Sequence, residues 1–265
     1  MTEKRDTPRA APDSMVALIP VAWEASELDV LQEVHPQVWA ENLTDGVDAD
    51  ALCLKPGSTF YIGDCPAPIS VVVDEPIEEL VGLAGASKHP FNPTEMLQLE
   101  EHRAIWRFTM SDISTAPLTR ARAFARLIAT VVEAGAPGVF LPFCVQLHSS
   151  ELIRHIAVDL SQPPALINLF VNAWNDDEWM VSRGLTVFGL PELETPVTGG
   201  LNAAYFRLLD VAASMLTLQE PHPAGTRIQL GPHIYQVQPG PQGPSDPTVP
   251  ICGAFGRHTL TESGD

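Results

Sequence analysis

The densest run of potentially reactive side chains in this chain is His148, Glu151, His155 and Asp159, two imidazoles and two carboxylates at intervals of three and four residues. Side chains of these types bind divalent metals when several converge. One helix face does not close a coordination shell, and Glu151 with His155 reads equally as an i,i+4 pair on a solvated surface, so no metal and no cofactor is assigned. A second set lies on segments that alternate apolar and polar residues: Gln146 and His148, then Asn168 and Asn172, then Arg183, Glu192 and Glu194. Were those segments neighbouring strands, their side chains would line a shallow pocket that orients a small ligand, with His148 or Glu192 as acid or base. The alternative for this set is a solvent-facing sheet surface with Arg183 paired to a nearby acid. A third constellation is Thr198-Gly199-Gly200 ahead of a long amphipathic stretch. Free backbone donors at a helix start can hold an anion, although a Gly-Gly pair there is also an ordinary loop.

Carboxylates form the remaining signal. They cluster as Asp45, Asp48 and Asp50, as Asp74, Glu75, Glu78 and Glu79, and as Asp176, Asp177 and Glu178. Helix caps and turns attract such residues for local reasons, but the clusters also form a field that steers a cationic protein into contact. The whole chain leans the same way: 33 acidic against 15 basic residues give a formal charge of -18, and Lys4, Lys55 and Lys88 are its lysines. Nucleic acid and anionic membrane need a positive surface and are excluded as partners, whereas a basic protein is favoured. The same charge also serves solubility without any partner.

Familiar catalytic signatures are missing: there is no G-x-G-x-x-G, no Walker loop, no G-x-S-x-G and no H-E-x-x-H. Cys53, Cys65, Cys144 and Cys252 show no C-x-x-C pair or regular spacing, which fits a reducing cytoplasm better than a disulfide framework or a zinc site. The apolar run from Met15 to Trp23 contains Pro20 and meets Glu24, unlike a secretory signal, and no stretch reaches the ~18 apolar residues of a membrane helix.

The elements that must position these groups follow from periodicity. Residues 1–13 are expected as a disordered tail, 14–238 as one domain, and 239–265 as a Pro/Gly-rich extended C-terminal tail. Val16 to Trp23 reads as a buried strand, followed by a helix that Pro36 must break or restart. His102 to Met110 alternates with Ala104, Trp106, Phe108 and Met110 inward, and Thr119 to Ala134 is a helix stopped by Gly135. Val139 to Leu147 keeps one unbroken period-2 apolar face with Pro142 on the other side. A helix from Ser149 or Ser150 to Leu160 ends at Pro163-Pro164, and Ile167 to Ala173 alternates as a strand. Arg183 to Glu194 reads as a strand that stops at Gly189 and Pro191, and Leu201 to Leu218 as a helix buried through Leu201, Ala204, Tyr205, Leu208, Ala212 and Met215. The fold class expected is α+β, mainly antiparallel sheet with helices packed on one face, in two related strand-helix-strand units, His102 to Leu147 and Gly184 to Leu230.

Arg183-Gly184-Leu185 followed by Phe188-Gly189-Leu190-Pro191-Glu192-Leu193-Glu194 resembles the signature stretch of a bacterial family catalogued as domain of unknown function 4261. Cys65-Pro66-Ala67-Pro68-Ile69 and His102-Arg103-Ala104 are similar to two further places in that family, so the resemblance spans most of residues 15 to 235. Its Gly- and Pro-rich motifs imply a shared scaffold, no established reaction and no catalytic residue. The reading as a whole is a cytoplasmic, non-enzymatic acidic protein that binds a basic protein, as an immunity factor against a basic bacterial toxin would. The candidate partner-binding residues are Asp74, Glu75, Glu78, Glu79, Asp176, Asp177 and Glu178. One alternative is a small-molecule-binding protein or enzyme whose pocket uses His148, Asn168, Asn172, Arg183, Glu192 and Glu194; the other is a component that self-associates through strand edges near Pro142.

Overall fold

Two alternating strands, Met15–Val21 (β1) and Ala104–Met110 (β5), run antiparallel through the middle of a seven-stranded sheet. Their inward residues meet in register, Ile19 opposite Trp106 and Ala17 opposite Phe108, all fully or almost fully buried. Phe108 meets Trp106 and Phe60 edge to face, the arrangement that aromatic quadrupoles favour. The structure is a computed structural model and describes residues 14–22, 28–45, 54–87, 89–112, 114–176, 178–240 and 256–262. It is an α+β fold with seven α-helices and two mostly antiparallel sheets among the described residues. The chain forms two compact units, Ser14–Phe170 and the part from Val171 on, where one domain over 14–238 was expected.

In the first unit Leu43–Thr44 (β2), Thr59–Ile62 (β3) and Ile69–Asp74 (β4) lie on one side of β5, and Gly138–Leu141 (β6) and Gln146–Ser149 (β7) lie beyond β1. Five helices accompany these strands: Val30–Trp39 (α1), Glu79–Gly85 (α2), Pro93–Glu100 (α3), Pro117–Glu133 (α4) and Ser150–Ala157 (α5). A sixth, Pro163–Phe170 (α6), closes the unit. Leu80 and Ala84 of α2, Phe91 and Leu99 of the α3 segment, Ile105 and Leu147 form one apolar cluster. The helix α4 is buried almost continuously from Arg120 to Val132, against β1, α1, α5 and α6.

The second unit holds Asn172–Asp176 (β8), Trp179–Arg183 (β9), Glu192–Pro196 (β10), Arg227–Leu230 (β11), His233–Pro239 (β12) and Arg257–Glu262 (β13). Their order is β11-β12-β13-β10-β9-β8, and the pairing of β10 with β13 is the parallel one. The helix Leu201–Leu218 (α7) packs on β8, β9, β10 and β11 through Ala204, Leu208, Val211, Ala212, Met215 and Leu216.

Several local expectations change. Pro36 does not end α1, which runs on to Trp39 and stops at left-handed Ala40. Val139 to Leu147 is a hairpin, because Pro142 supplies no ladder donor and the chain reverses through Cys144 and left-handed Val145 before β7 begins. Pro163-Pro164 opens α6 rather than closing α5, which ends at Ala157, and Ile167 to Phe170 is helical. Leu201 is half exposed rather than part of the α7 stripe. The stretch 239–265 is not a tail throughout: β13 is an interior strand with buried Arg257, Thr259 and Leu260. The expected tail 1–13, the acids Asp48 and Asp50, and most of the run 239–250 lie outside the described residues.

Candidate functional site

The polar set expected on strand faces is divided among unlike environments. His148 sits in β7, fully buried opposite Val139, and its Nε2–H donates to the Leu169 carbonyl at 2.8 Å. Burial holds its pKa down to about 4, so the ring is neutral at pH 7. Asn168 is exposed on α6. Asn172 and Arg183 are register partners across β8 and β9, both half-buried.

Glu192 and Glu194 point into the second unit. Glu192 accepts Ser182 Oγ–H at 2.7 Å and Gly184 N–H at 2.8 Å, and the backbone N–H groups of Leu185 and Thr186 also donate to it. Those amides open the 3-10 helix Leu185–Phe188, which replaces the strand expected there and is flanked by Gly184 at φ 121° and Gly189 at φ 75°. Both φ values favour glycine, and the Glu192 carboxylate, eight residues beyond Gly184, closes the helix start. Burial nonetheless pushes the Glu192 pKa up, against the pull of its donors. Glu194 is bound by Arg257 Nη1 at 2.7 Å and Thr259 Oγ1 at 2.6 Å, which fastens β13 beside β10.

The metal-like run on α5 does not assemble either. His148 is engaged by Leu169, and Asp159, beyond the helix end, accepts the Ser161 hydroxyl. Glu151 and His155 line a cavity of about 390 Å³ with His89 and Leu152, but no group of three His, Cys, Asp or Glu residues suited to a metal occurs among the described residues. At the start of α7, Thr198 and Gly199 border a cavity of about 320 Å³. The Arg207 guanidinium there donates to Thr195 Oγ1 (2.8 Å), Pro196 O (3.1 Å) and Thr198 O (3.0 Å), with its carbon 4.3 Å from the Tyr235 ring centre. Arg207 thus braces the loop and already has its acceptors.

The acidic residues do assemble, in a way the sequence concealed. Asp74 is paired with Arg107 at 2.8 Å, while Glu75, Glu78 and Glu79 are exposed. The Ile77 N–H donates to His102 Nε2 at 3.0 Å, which places the ring proton on Nδ1, where it donates to Leu99 O at 2.6 Å. His102 therefore ties the entry of α2 to the exit of α3 and brings exposed Glu100 and Glu101 to the same corner as Glu78. None of Glu75, Glu78, Glu79, Glu100 and Glu101 forms an ion pair among the described residues. Glu101 is distant from Glu78 along the chain, and no local pattern signalled this meeting. In the other cluster, Asp176 is half-buried in β8, Glu178 is exposed, and Asp177 lies outside the described residues.

A further polar cluster was missed altogether. Fully buried His35 on α1 faces Thr130 Oγ1 at 2.7 Å through Nδ1 and Glu41 at 3.3 Å through Nε2. Trp39 Nε1–H donates to the same hydroxyl at 3.2 Å, and Arg126 donates to both oxygens of Glu41 at 2.8 and 3.0 Å. The spacing His–Thr–Glu imitates a nucleophilic relay, but Thr130 is fully buried and hydrogen-bonded to Arg126 O, so no substrate reaches its oxygen. Burial lowers the His35 pKa, opposed by Glu41. Sequence reasoning lost this cluster because α1 was expected to break or restart at Pro36, whereas it runs on to Trp39.

Compared with known protein families, curated proteins and solved structures, the chain matches none.

Proposed function

We propose that the protein is a non-enzymatic binder of a basic protein, and that the corner where α2 begins and α3 ends is its docking face. The observation that carries this reading is the convergence of Glu75, Glu78, Glu79, Glu100 and Glu101 without counter-cations among the described residues. Exposed, unpaired carboxylates keep their full field for an incoming partner, whereas Asp74 gives its charge to Arg107. Exposed Leu83 and Leu97 on the same two helices offer apolar contact beside the charge. Capture of a basic toxin by a neutralising factor in the cytoplasm is the specific role proposed, since fast electrostatic association suits that task. The resemblance to the bacterial family of domain 4261 is retained as part of this proposal. Buried thiols Cys65 and Cys144 accord with a reducing setting, and among the described residues no helix is long and apolar enough to cross a membrane.

The deciding experiment is recovery of partners from source-cell extract at low ionic strength, using the native protein and the E75K/E78K/E79K variant. A basic protein retained by the native chain, lost from the variant and released by moderate salt is the expected outcome. Recovery of no basic protein by the native chain, or equal recovery by both, defeats the proposal.

A further inference from the structure

We infer that the groove between Trp39, Arg122, Arg126 and the 157–161 loop binds a small organic monoanion with a flat apolar body, of the aromatic carboxylate class. Arg122 and Arg126 stand at i and i+4 on α4, where like charges repel. Glu41 neutralises Arg126 but does not reach Arg122. Among the described residues the Arg122 guanidinium makes a single hydrogen bond, from Nη2 to Ser161 O at 3.3 Å, and its Nε–H is buried without an acceptor. Asp159, at the rim, accepts the Ser161 hydroxyl and forms no ion pair with either arginine. In a chain with 33 acidic residues and 15 basic ones, a half-buried groove-lining arginine that pairs with no carboxylate among the described residues is a place where an external carboxylate completes the pairing.

The class of ligand follows from the walls. The Trp39 indole is half-buried and held by its bond to Thr130, with the Arg126 guanidinium 6.0 Å from its ring centre, so it presents a fixed flat surface. A groove of about 450 Å³ admits one or two rings. Glu41 compensates Arg126, and Asp159 at the rim pairs with neither arginine, so Arg122 is left with one uncompensated charge. One added negative charge at Arg122 is therefore accommodated and two are not, which favours a carboxylate over a phosphate dianion. No residue is shared with the acidic docking face, so failure of either proposal leaves the other standing.

Titration of the full chain with benzoate, read by calorimetry and intrinsic fluorescence, tests the inference, with inorganic phosphate as the ringless comparison. Saturable benzoate binding is expected, weakened about tenfold or more by Arg122→Gln. Val158→Asp sets a carboxylate at the rim on a side chain that is 84% exposed, keeps the fold, and is expected to weaken binding as well. Trp39→Phe is expected to remove the fluorescence change. Absence of saturable benzoate binding, unchanged affinity in both Arg122→Gln and Val158→Asp, or tighter binding of phosphate than of benzoate overturns it.

Discussion

His148 in the first unit and Glu192 in the second are both completely enclosed, yet they hold protons in opposite senses. His148 has one carbonyl partner, so its neutral ring is comfortable and its charged ring is not. Glu192 is surrounded by donors from Ser182, Gly184, Leu185 and Thr186, which serve the carboxylate form, and burial still outweighs them. Burial shifts both groups away from their charged states, and the partners decide by how much. A third environment completes the comparison: Glu75, Glu78 and Glu79 are exposed and carry their charge into solvent. Groups that look interchangeable as acids or bases in the sequence are therefore a helix closure, a buried latch and an exposed acidic face.

The sharpest way to break this comparison is at Glu194, whose carboxylate and the Arg257 guanidinium are at most 1% exposed. Glu194→Ala leaves a buried cation without its partner and is expected to lower unfolding stability by about 3–5 kcal/mol in urea titration. Replacing both residues by apolar side chains of similar volume is expected to recover most of that loss. Survival of Glu194→Ala at native stability would show that β13 is fastened by something else.

The next effect belongs to His148. Its folded pKa is depressed from 6.5 to about 4, so the unfolded chain binds more protons between those values. Stability is complete above the unfolded value and is lost as pH falls through the window, by about 3 kcal/mol in total. His148→Gln is expected to remove this part of the acid sensitivity, measured as the difference in urea midpoint against pH.

Glu192 has the reverse dependence. Its folded pKa is raised, so its contribution is full below the ordinary carboxylate range and declines as pH rises through the folded value. Glu192→Gln retains one acceptor, loses the other, and is expected to cost about 1–3 kcal/mol at low pH, with the Glu192 slope gone. Parallel pH slopes in His148→Gln and Glu192→Gln would refute the opposition drawn here. The smallest effect is expected from E75K/E78K/E79K, which should shift stability by no more than about 0.5 kcal/mol while abolishing partner capture.

Much of the framework was readable because its periods are strong. α7 begins and ends at the expected residues, and β1, β5 and α4 need only a residue or two of adjustment at their ends. Reading failed where period and punctuation conflict. Phe143 and Val145 continue an apolar alternation through a turn, and Pro163-Pro164 looks like a stop although proline is also at home in a first helical turn. The stretch Arg183 to Glu194 is apolar enough for a strand, but Leu185–Phe188 is a 3-10 turn between positive-φ Gly184 and Gly189, its opening amides gathered by Glu192.

The sequence by itself determined the fold class, the acid excess and most helix positions, because propensity, periodicity and charge are local or additive properties. Tertiary structure alone decided which charges are buried and which face solvent. That Glu194 meets Arg257 across 63 residues, that His35 meets Thr130 across 95, and that His102 draws Glu101 beside Glu78 are consequences of chain closure. No local pattern encodes such a meeting, since the burial that sets each group's chemistry exists only once the distant segments have packed.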